Sequence, residues 1–221
     1  PGALAIAPLA AARSDIIVIT PSASAPAFSR TAAHIFNMRP PEDAATQALA
    51  RYAYRKGMRR AAVLSSQQPA ESAQGKIFEE EFRRLGGTVT LRLEPDPTLS
   101  DLRTEAAKIT VTGPDVIFLM NYNQLEAGAR AVANLGYKGL RTAISLDDTR
   151  VTAAGGLFEG LIVASSGSPG EDFRKRFKER FSEAPGLSAE FGHDAIVALA
   201  QAIRRAGTLE TKAVSVALQN G

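Results

Sequence analysis

An unbroken run of apolar residues in the middle of the chain constrains the fold more than any other stretch. Val116–Met120 reads VIFLM, and Gly113 and Pro114 mark a turn before it. A run without alternating polar residues is typical of a parallel strand that is buried on both faces. Successive parallel strands need crossover connections, which are usually helical. The run therefore predicts an α/β fold with a parallel sheet.

The residues after this run complete a strand–helix–strand unit. Apolar residues recur at near-helical spacing over 125–135, and Gly136 follows where a glycine C′ cap is expected. A second apolar strand is predicted at Ala143–Leu146, immediately before Asp147-Asp148. Ligands of open parallel sheets bind beyond the carboxyl ends of the strands. We therefore expect site residues among the two acids and Asn121-Tyr122-Asn123.

Alternation of strands and helices extends over most of the chain. Five strands are predicted between Ala61 and Ala164, with helices between them. This order predicts a doubly wound α/β architecture. The other predicted elements are helices over 4–13, 42–56, 70–85, 99–110, 171–181, 188–205 and 211–218, and extended segments over 15–20 and 33–39.

Composition argues against several classes of protein. The 221 residues include no cysteine, which excludes disulfides and thiolate chemistry. His34 and His193 lie far apart in no metal-binding motif, so neither a metal nor a cofactor is predicted. A net charge of only +3 and the absence of tryptophan argue against nucleic-acid binding. No apolar run approaches the roughly 18–20 residues of a membrane span.

A series of segments along the chain has a specific order and spacing. The segments are ALAIAPLAAARSDIIVITPSAS, RYAYRKGMRRAAVLSS, FEEEFRRLGGTV, PDVIFLMNYNQLEAGARAVANLGYKG, GLFEGLIVAS, FRKRFKERF and GHDAIVALAQAIRRAG. This series resembles the type I periplasmic binding proteins of the branched-chain amino acid branch, which are substrate-binding components of ABC transporters. The resemblance covers essentially the whole chain and implies two doubly wound parallel-sheet lobes that close on a small molecule.

The resemblance also implies domain boundaries. Residues 1–38 and 166–221 correspond to a partial first lobe, and residues 39–165 to a complete second lobe with a five-stranded parallel sheet. On this match the chain is a fragment that lacks the start of the first lobe and a C-terminal portion. The chain is expected to cross between the lobes near 36–41 and 163–170.

Two ligand-binding elements follow from the resemblance. The loop Ser22-Ala23-Ser24 matches a segment that holds a ligand carboxylate through backbone N–H groups and hydroxyls. On residue chemistry alone, an ordinary loop whose serines cap the next turn is an equal alternative. Asp148 matches an acid that binds the ammonium group in amino-acid-binding members. Its alternative role is to cap the following turn, so the two adjacent acids can divide these tasks.

The loops after two other strands complete the expected site. Tyr122 matches a position where an aromatic side chain lines the cleft, and Asn123 adjoins it, although a tyrosine packed for structural reasons is the alternative. Many members carry another aromatic in the loop after the second lobe's first strand, but residues 65–71 read SSQQPAE. This more polar loop favours a ligand larger or more polar than leucine, with Gln67 and Gln68 as candidate contacts.

Three functions are compatible with these observations. The resemblance favours a periplasmic or extracytoplasmic bacterial receptor, expected as a monomer, that captures an amino acid or related small carboxylate for an ABC permease. The alternative is a ligand-sensing regulatory domain of the same fold, as in a repressor or a receptor ectodomain. An enzyme is the third, but the chain has no phosphate-binding loop, nucleophile elbow or H-E-x-x-H motif. We therefore predict no catalytic residue.

Overall fold

The computed structural model describes residues 2–165, 169–186 and 188–220. The chain divides into two compact units: unit 1 is Pro1–Pro41 with Gly167–Gly221, and unit 2 is Glu42–Ser166. The hinge crossings near 36–41 and 163–170 stay a prediction, and residues 166–168 of the second crossing lie outside the described residues.

Helices and strands alternate along most of the chain. Residues 2–41 form α1 (Gly2–Ala11), β1 (Val18–Thr20), α2 (Pro26–Ser29) and β2 (Ile35–Asn37). Unit 2 forms α3 (Asp43–Arg55), β3 (Arg60–Ser65), α4 (Pro69–Arg84), β4 (Thr88–Leu93), α5 (Arg103–Thr110), β5 (Val116–Met120), α6 (Leu125–Asn134), β6 (Leu140–Ile144), α7 (Asp148–Ala153) and β7 (Leu161–Ala164). A 3-10 turn at Tyr122–Gln124 precedes α6. The last helices are α8 (Glu171–Phe181), α9 (Ala189–Ala206) and α10 (Thr211–Gln219).

Unit 2 is built on a five-stranded parallel sheet with the order β4–β3–β5–β6–β7. Every residue of β5 is buried, which confirms the prediction for the apolar run. Ile117 and Leu119 belong to an apolar cluster with α5 and α6, whereas the other β5 residues belong to a cluster with α3 and α4. In the second cluster, the rings of Phe78 and Phe118 stack with their centroids 4.6 Å apart. The sheet therefore has helices on both faces, as the doubly wound architecture requires.

Several element boundaries differ from the sequence prediction. The strand predicted at Ala143–Leu146 spans Leu140–Ile144, because Ser145 adopts a left-handed backbone conformation with φ 60° and ends it. The helix predicted from residue 99 begins at Arg103, whose N–H donates to Oδ1 of Asp101 at 3.0 Å. The short helix α2 was not predicted.

Unit 1 contains a two-stranded parallel sheet, in which Val18 pairs with Ile35 and Thr20 with Asn37. Its small core includes Phe28, which is 1% exposed. None of the helices in the described part of the chain has the length and apolar content needed to span a bilayer.

Candidate functional site

The carboxyl ends of β3 and β5 mark the point where the strand order of unit 2 reverses. From β3 the chain moves outward to β4, and it then returns past β3 to β5 before it continues to β6 and β7. The loops diverge at such a switch point, and open α/β sheets bind ligands in the crevice between them. The loops that follow β3, β5 and β6 therefore form the candidate site.

A buried carboxylate joins the loops after β3 and β5. Glu71 lies in the first turn of α4 and is 6% exposed. It accepts hydrogen bonds from the hydroxyl of Ser66 and, at 3.0 Å, from the backbone N–H of Tyr122. Burial raises the pKa of Glu71 above its ordinary value, although these two hydrogen bonds oppose the shift. Glu71 thus fixes the backbone at the start of the β5 loop.

A guanidinium joins the loops after β5 and β6. Arg150, in α7, donates to both carboxylate oxygens of Glu126, from Nε at 2.5 Å and from Nη2 at 2.6 Å. Nη2 also donates to the carbonyl of Tyr122, and the guanidinium carbon lies 4.4 Å from the centroid of that ring. The side chain of Arg150 is 17% exposed, and its hydrogen bonds to Glu126 lower the pKa of that carboxyl. One side chain thus holds both the backbone and the ring of Tyr122.

The two adjacent acids occupy different positions at the start of α7. Asp147 is the N-cap residue, and its Oδ1 accepts the N–H of Arg150 at 2.8 Å. Asp148 is the first residue of the helix and is exposed. The capping role considered for Asp148 therefore belongs to Asp147, and the ligand-binding role of Asp148 stays a prediction.

The turn before these acids is bonded to both ends of unit 2. Ser145 is 6% exposed and adopts φ 60°, which is uncommon for a residue other than glycine. Its hydroxyl donates to the Glu42 carboxylate at 2.7 Å, and its N–H donates to the carbonyl of Ala164 at 3.1 Å. Glu42 begins unit 2, and Ala164 lies close to its end. The segment that carries Asp147 and Arg150 is therefore attached to the first and last segments of the unit.

Three other predicted site residues lie in the loops after β3 and β5. Tyr122 and Asn123 form the turn after β5, and Gln67 is exposed in the loop after β3, where its backbone N–H donates to the carbonyl of Pro95 at 3.1 Å. The structure thus brings these residues and Asp148 to the carboxyl edge of one sheet.

The predicted carboxylate-binding loop, Ser22-Ala23-Ser24, belongs to unit 1, where it follows β1. The N–H of Ala23 donates to Oγ1 of Thr20 at 3.0 Å. The loop is therefore held to the end of its own strand.

Three residues of this site were missed in the sequence: Glu71, Glu126 and Arg150. The position of Glu71 in the first turn of a helix after a strand was a usable signal, since acids are favoured there. The pairing of Glu126 with Arg150 joins α6 to α7, and no local sequence pattern predicts it. Among the described residues, no group of three or more His, Asp or Glu side chains is arranged to hold a metal ion.

Comparisons with known proteins are consistent with this architecture. One solved structure with a similar fold is a leucine binding protein from Thermotoga maritima, at 23% identity and a TM-score of 0.85, which covers 98% of this chain and 65% of that one. A second is a solute binding protein of an ABC transporter from R. palustris in complex with 4-hydroxybenzoate, at 16% identity and a TM-score of 0.85, covering 98% and 63%. A third is an ABC transporter substrate-binding protein from Desulfitobacterium hafniense in complex with Leu, at 20% identity and a TM-score of 0.77, covering 99% and 66%.

These similarities concern the fold, and they cover only part of each relative. The chain spans 65% of the length of the Thermotoga protein. A comparison with curated proteins gave no match. Residues 2–221 match the family model of the periplasmic binding proteins. The predicted fold and resemblance are thereby confirmed, and the chain belongs to the periplasmic binding protein family.

Proposed function

We propose that this chain is the ligand-binding part of an extracytoplasmic solute receptor, which captures a small carboxylate and delivers it to an ABC permease. The observation that carries the proposal is the switch point of unit 2, where Tyr122 is fixed between Glu71 and Arg150. A site that binds without reacting needs a few polar groups of fixed orientation beside an apolar or aromatic surface. Family membership supports the same function.

Each predicted residue has a distinct task in this proposal. Tyr122 supplies an aromatic surface, and Asn123 and Gln67 supply polar contacts at the same sheet edge. Asp148 binds a positive group of the ligand. The Ser22-Ala23-Ser24 loop of unit 1 binds the carboxylate through N–H and hydroxyl donors. None of these tasks includes a bond-breaking step, so we propose a binding protein and no enzyme.

The ligand class rests on two observations. The solved structures of similar fold are associated with leucine and 4-hydroxybenzoate, two molecules that share a carboxylate and differ in the rest. The loop at residues 65–71 has no aromatic side chain, so its wall of the site is more polar. We therefore propose an amino acid or a related small carboxylate.

Thermal unfolding with and without L-leucine and 4-hydroxybenzoate tests this proposal. A ligand that binds the folded state stabilises it by about 2.7 kcal/mol at a concentration 100 times its Kd, which raises Tm measurably. A wider panel of amino acids and aromatic acids follows the same procedure. If no carboxylate of the panel raises Tm or gives heat in a calorimetric titration, the proposed function is wrong.

The role of Asp148 is tested by the Asp148→Asn variant. We expect it to weaken binding of a ligand that carries an ammonium group by at least about ten-fold, because the ammonium would lose its charged partner. Binding of 4-hydroxybenzoate, which has no ammonium group, should be unaffected. Glu80→Gln is the control, since Glu80 is 64% exposed on α4 and is paired with Lys76. Equal effects of both substitutions would contradict the assignment.

A further inference from the structure

The ring of Tyr122 differs from an ordinary aromatic wall because a cation already covers one of its faces. The guanidinium carbon of Arg150 is 4.4 Å from the ring centroid, well inside the range of about 6 Å over which a cation is attracted to an aromatic face. Both oxygens of Glu126 hold this guanidinium in place. Glu71 and Arg150 fix the Tyr122 backbone on its two sides. The ring therefore has one covered face and a fixed orientation.

We propose that Arg150 is a specificity-determining residue that disfavours a cationic ligand group against the opposite face of Tyr122. This proposal rests on the proposed function, because it concerns the ligand of the same site. The Arg150 charge polarises the ring's electrons toward itself, so the opposite face presents a weaker negative potential. Glu126 offsets the charge of Arg150 at longer range, so the effect on a second cation comes mainly through the polarised ring. Apolar, aromatic or anionic groups do not depend on that negative potential.

The proposal also assigns an orientation to a zwitterionic ligand. An ammonium group is favoured beside Asp148, an exposed carboxylate at the start of α7, and disfavoured over Tyr122. The apolar side chain of an amino acid would then pack on the ring. For an aromatic acid, the ring of the ligand stacks on Tyr122 without an opposing charge.

The chain contains a matched pair that serves as a control. The guanidinium carbon of Arg59 lies 4.0 Å from the Tyr54 ring centroid, and Nη1 donates to the carbonyl of Tyr54 at 2.8 Å. This repeats the Arg150–Tyr122 geometry at the opposite, amino-terminal edge of the same sheet. Arg59→Met therefore removes the same charge and the same stacking interaction without touching the candidate site.

The first measurement reports on the ring without any ligand. The chain has four tyrosines, so fluorotyrosine labelling gives four fluorine NMR signals, and Tyr122→Phe identifies the signal of Tyr122. We expect Arg150→Met to shift this signal and leave the other three in place. Arg59→Met should instead shift the Tyr54 signal. An unmoved Tyr122 signal in folded Arg150→Met would overturn the proposal.

The second measurement compares two probes that differ at one group. 4-Hydroxybenzoate and para-aminomethylbenzoate share a ring and a carboxylate, but only the second carries a cation. Asp148 is present in both wild type and Arg150→Met, so the change in the ratio of the two affinities isolates Arg150. We expect Arg150→Met to shift this preference toward para-aminomethylbenzoate by about ten-fold, within the range of a desolvated cation–π contact. Arg59→Met should leave the preference unchanged. Arg150→Lys retains the charge and should retain most of the preference. If Arg150→Met does not fold, Arg150→Gln, which is also neutral and still carries an N–H donor, replaces it, and the same shift in preference is expected.

The two possible failures are distinguishable. If the wild-type chain binds 4-hydroxybenzoate but Arg150→Met leaves the preference unchanged, Arg150 does not select the ligand and this inference is wrong. If the wild-type chain binds neither these probes nor the wider panel of carboxylates, the proposed function fails, and the inference that rests on it fails as well.

Discussion

The guanidinium of Arg150 covers one face of Tyr122, although the two residues follow different strands of the sheet. Tyr122 lies in the turn after β5, and Arg150 lies in the helix after β6. The same guanidinium is held by both carboxylate oxygens of Glu126 in α6. Two loops that could move separately are therefore fastened into one structural unit at the carboxyl edge of the sheet.

The buried Glu71 should make stability depend on pH. Its pKa in the folded state is raised from an ordinary value near 4.5, chiefly by burial. The stability that Glu71 contributes is therefore complete below that ordinary value and is lost as the pH rises through the raised pKa. Glu71→Gln keeps an acceptor for the Tyr122 N–H and carries no charge. We measure the free energy of unfolding in urea between about pH 4 and pH 8. The variant should lack the loss of stability that wild type shows as the pH rises. A difference in unfolding free energy between the two proteins that stays constant with pH would contradict the expectation.

Glu81 should show the opposite dependence. Hydrogen bonds from Arg84, with a further one from Arg51, lower the pKa of Glu81 from 4.5 to about 2. Its contribution to stability is present above the ordinary value and is lost as the pH falls toward about 2. Wild type should therefore lose stability more steeply than Glu81→Gln on acidification from about pH 5. If the free energies of unfolding of the two proteins fell equally with pH over this range, the ion pairs of Glu81 would contribute little to stability.

Substitution of two helical glycines should change stability in opposite directions. A Cβ on Gly75 in α4 would lie 2.7 Å from Oγ of Ser65 and 3.2 Å from Cγ1 of Val63. We expect Gly75→Ala to lower the free energy of unfolding by about 1–3 kcal/mol, as overpacking does. Gly192 in α9 has nothing within 4 Å of an added Cβ. Gly192→Ala should instead stabilise by about 0.5–1 kcal/mol through helix propensity. Denaturant titrations that gave both changes the same sign would refute the steric argument.

The left-handed backbone of Ser145 should distinguish glycine from alanine. Both substitutions remove the hydroxyl that donates to Glu42, but only alanine keeps the strain of φ 60°. We expect Ser145→Gly to be more stable than Ser145→Ala by about 1 kcal/mol, as measured by urea unfolding. Ser182, which ends α8 at φ 60°, is the control, and Ser182→Gly should stabilise because glycine is preferred at such helix ends. Equal stability of the two Ser145 variants would argue against backbone strain.

Local sequence patterns predicted correctly those helices and strands in which the spacing of apolar residues reflects the packing. The apolar run of β5 and the period of α8 are examples, and the bounds predicted for α8, Glu171–Phe181, are confirmed. The end of β6 was mispredicted because hydropathy continues to Leu146 while the backbone turns at Ser145. The pattern of apolar residues does not predict the backbone torsion angle of Ser145.

The candidate site was predictable only as a location. The rule for parallel sheets indicated the connections after the strands. Tyr122 lies in the turn after β5, and Asp148 begins the helix that follows β6. The assignment of the cap to Asp147 depends on the orientation of one side chain. The contact between Arg150 and Tyr122 depends on the spacing of two neighbouring strands, so no local sequence pattern contains it.

The division of the chain into units has a consequence for its synthesis. Unit 2 is one continuous segment, whereas unit 1 combines residues that precede and follow it. A ribosome therefore releases all of unit 2 before it releases the second segment of unit 1. Domains of a nascent chain generally fold as units once their residues have emerged. Unit 2 can thus reach its final structure during translation, whereas the early residues of unit 1 become part of a complete unit only after the helices that follow unit 2 have been made.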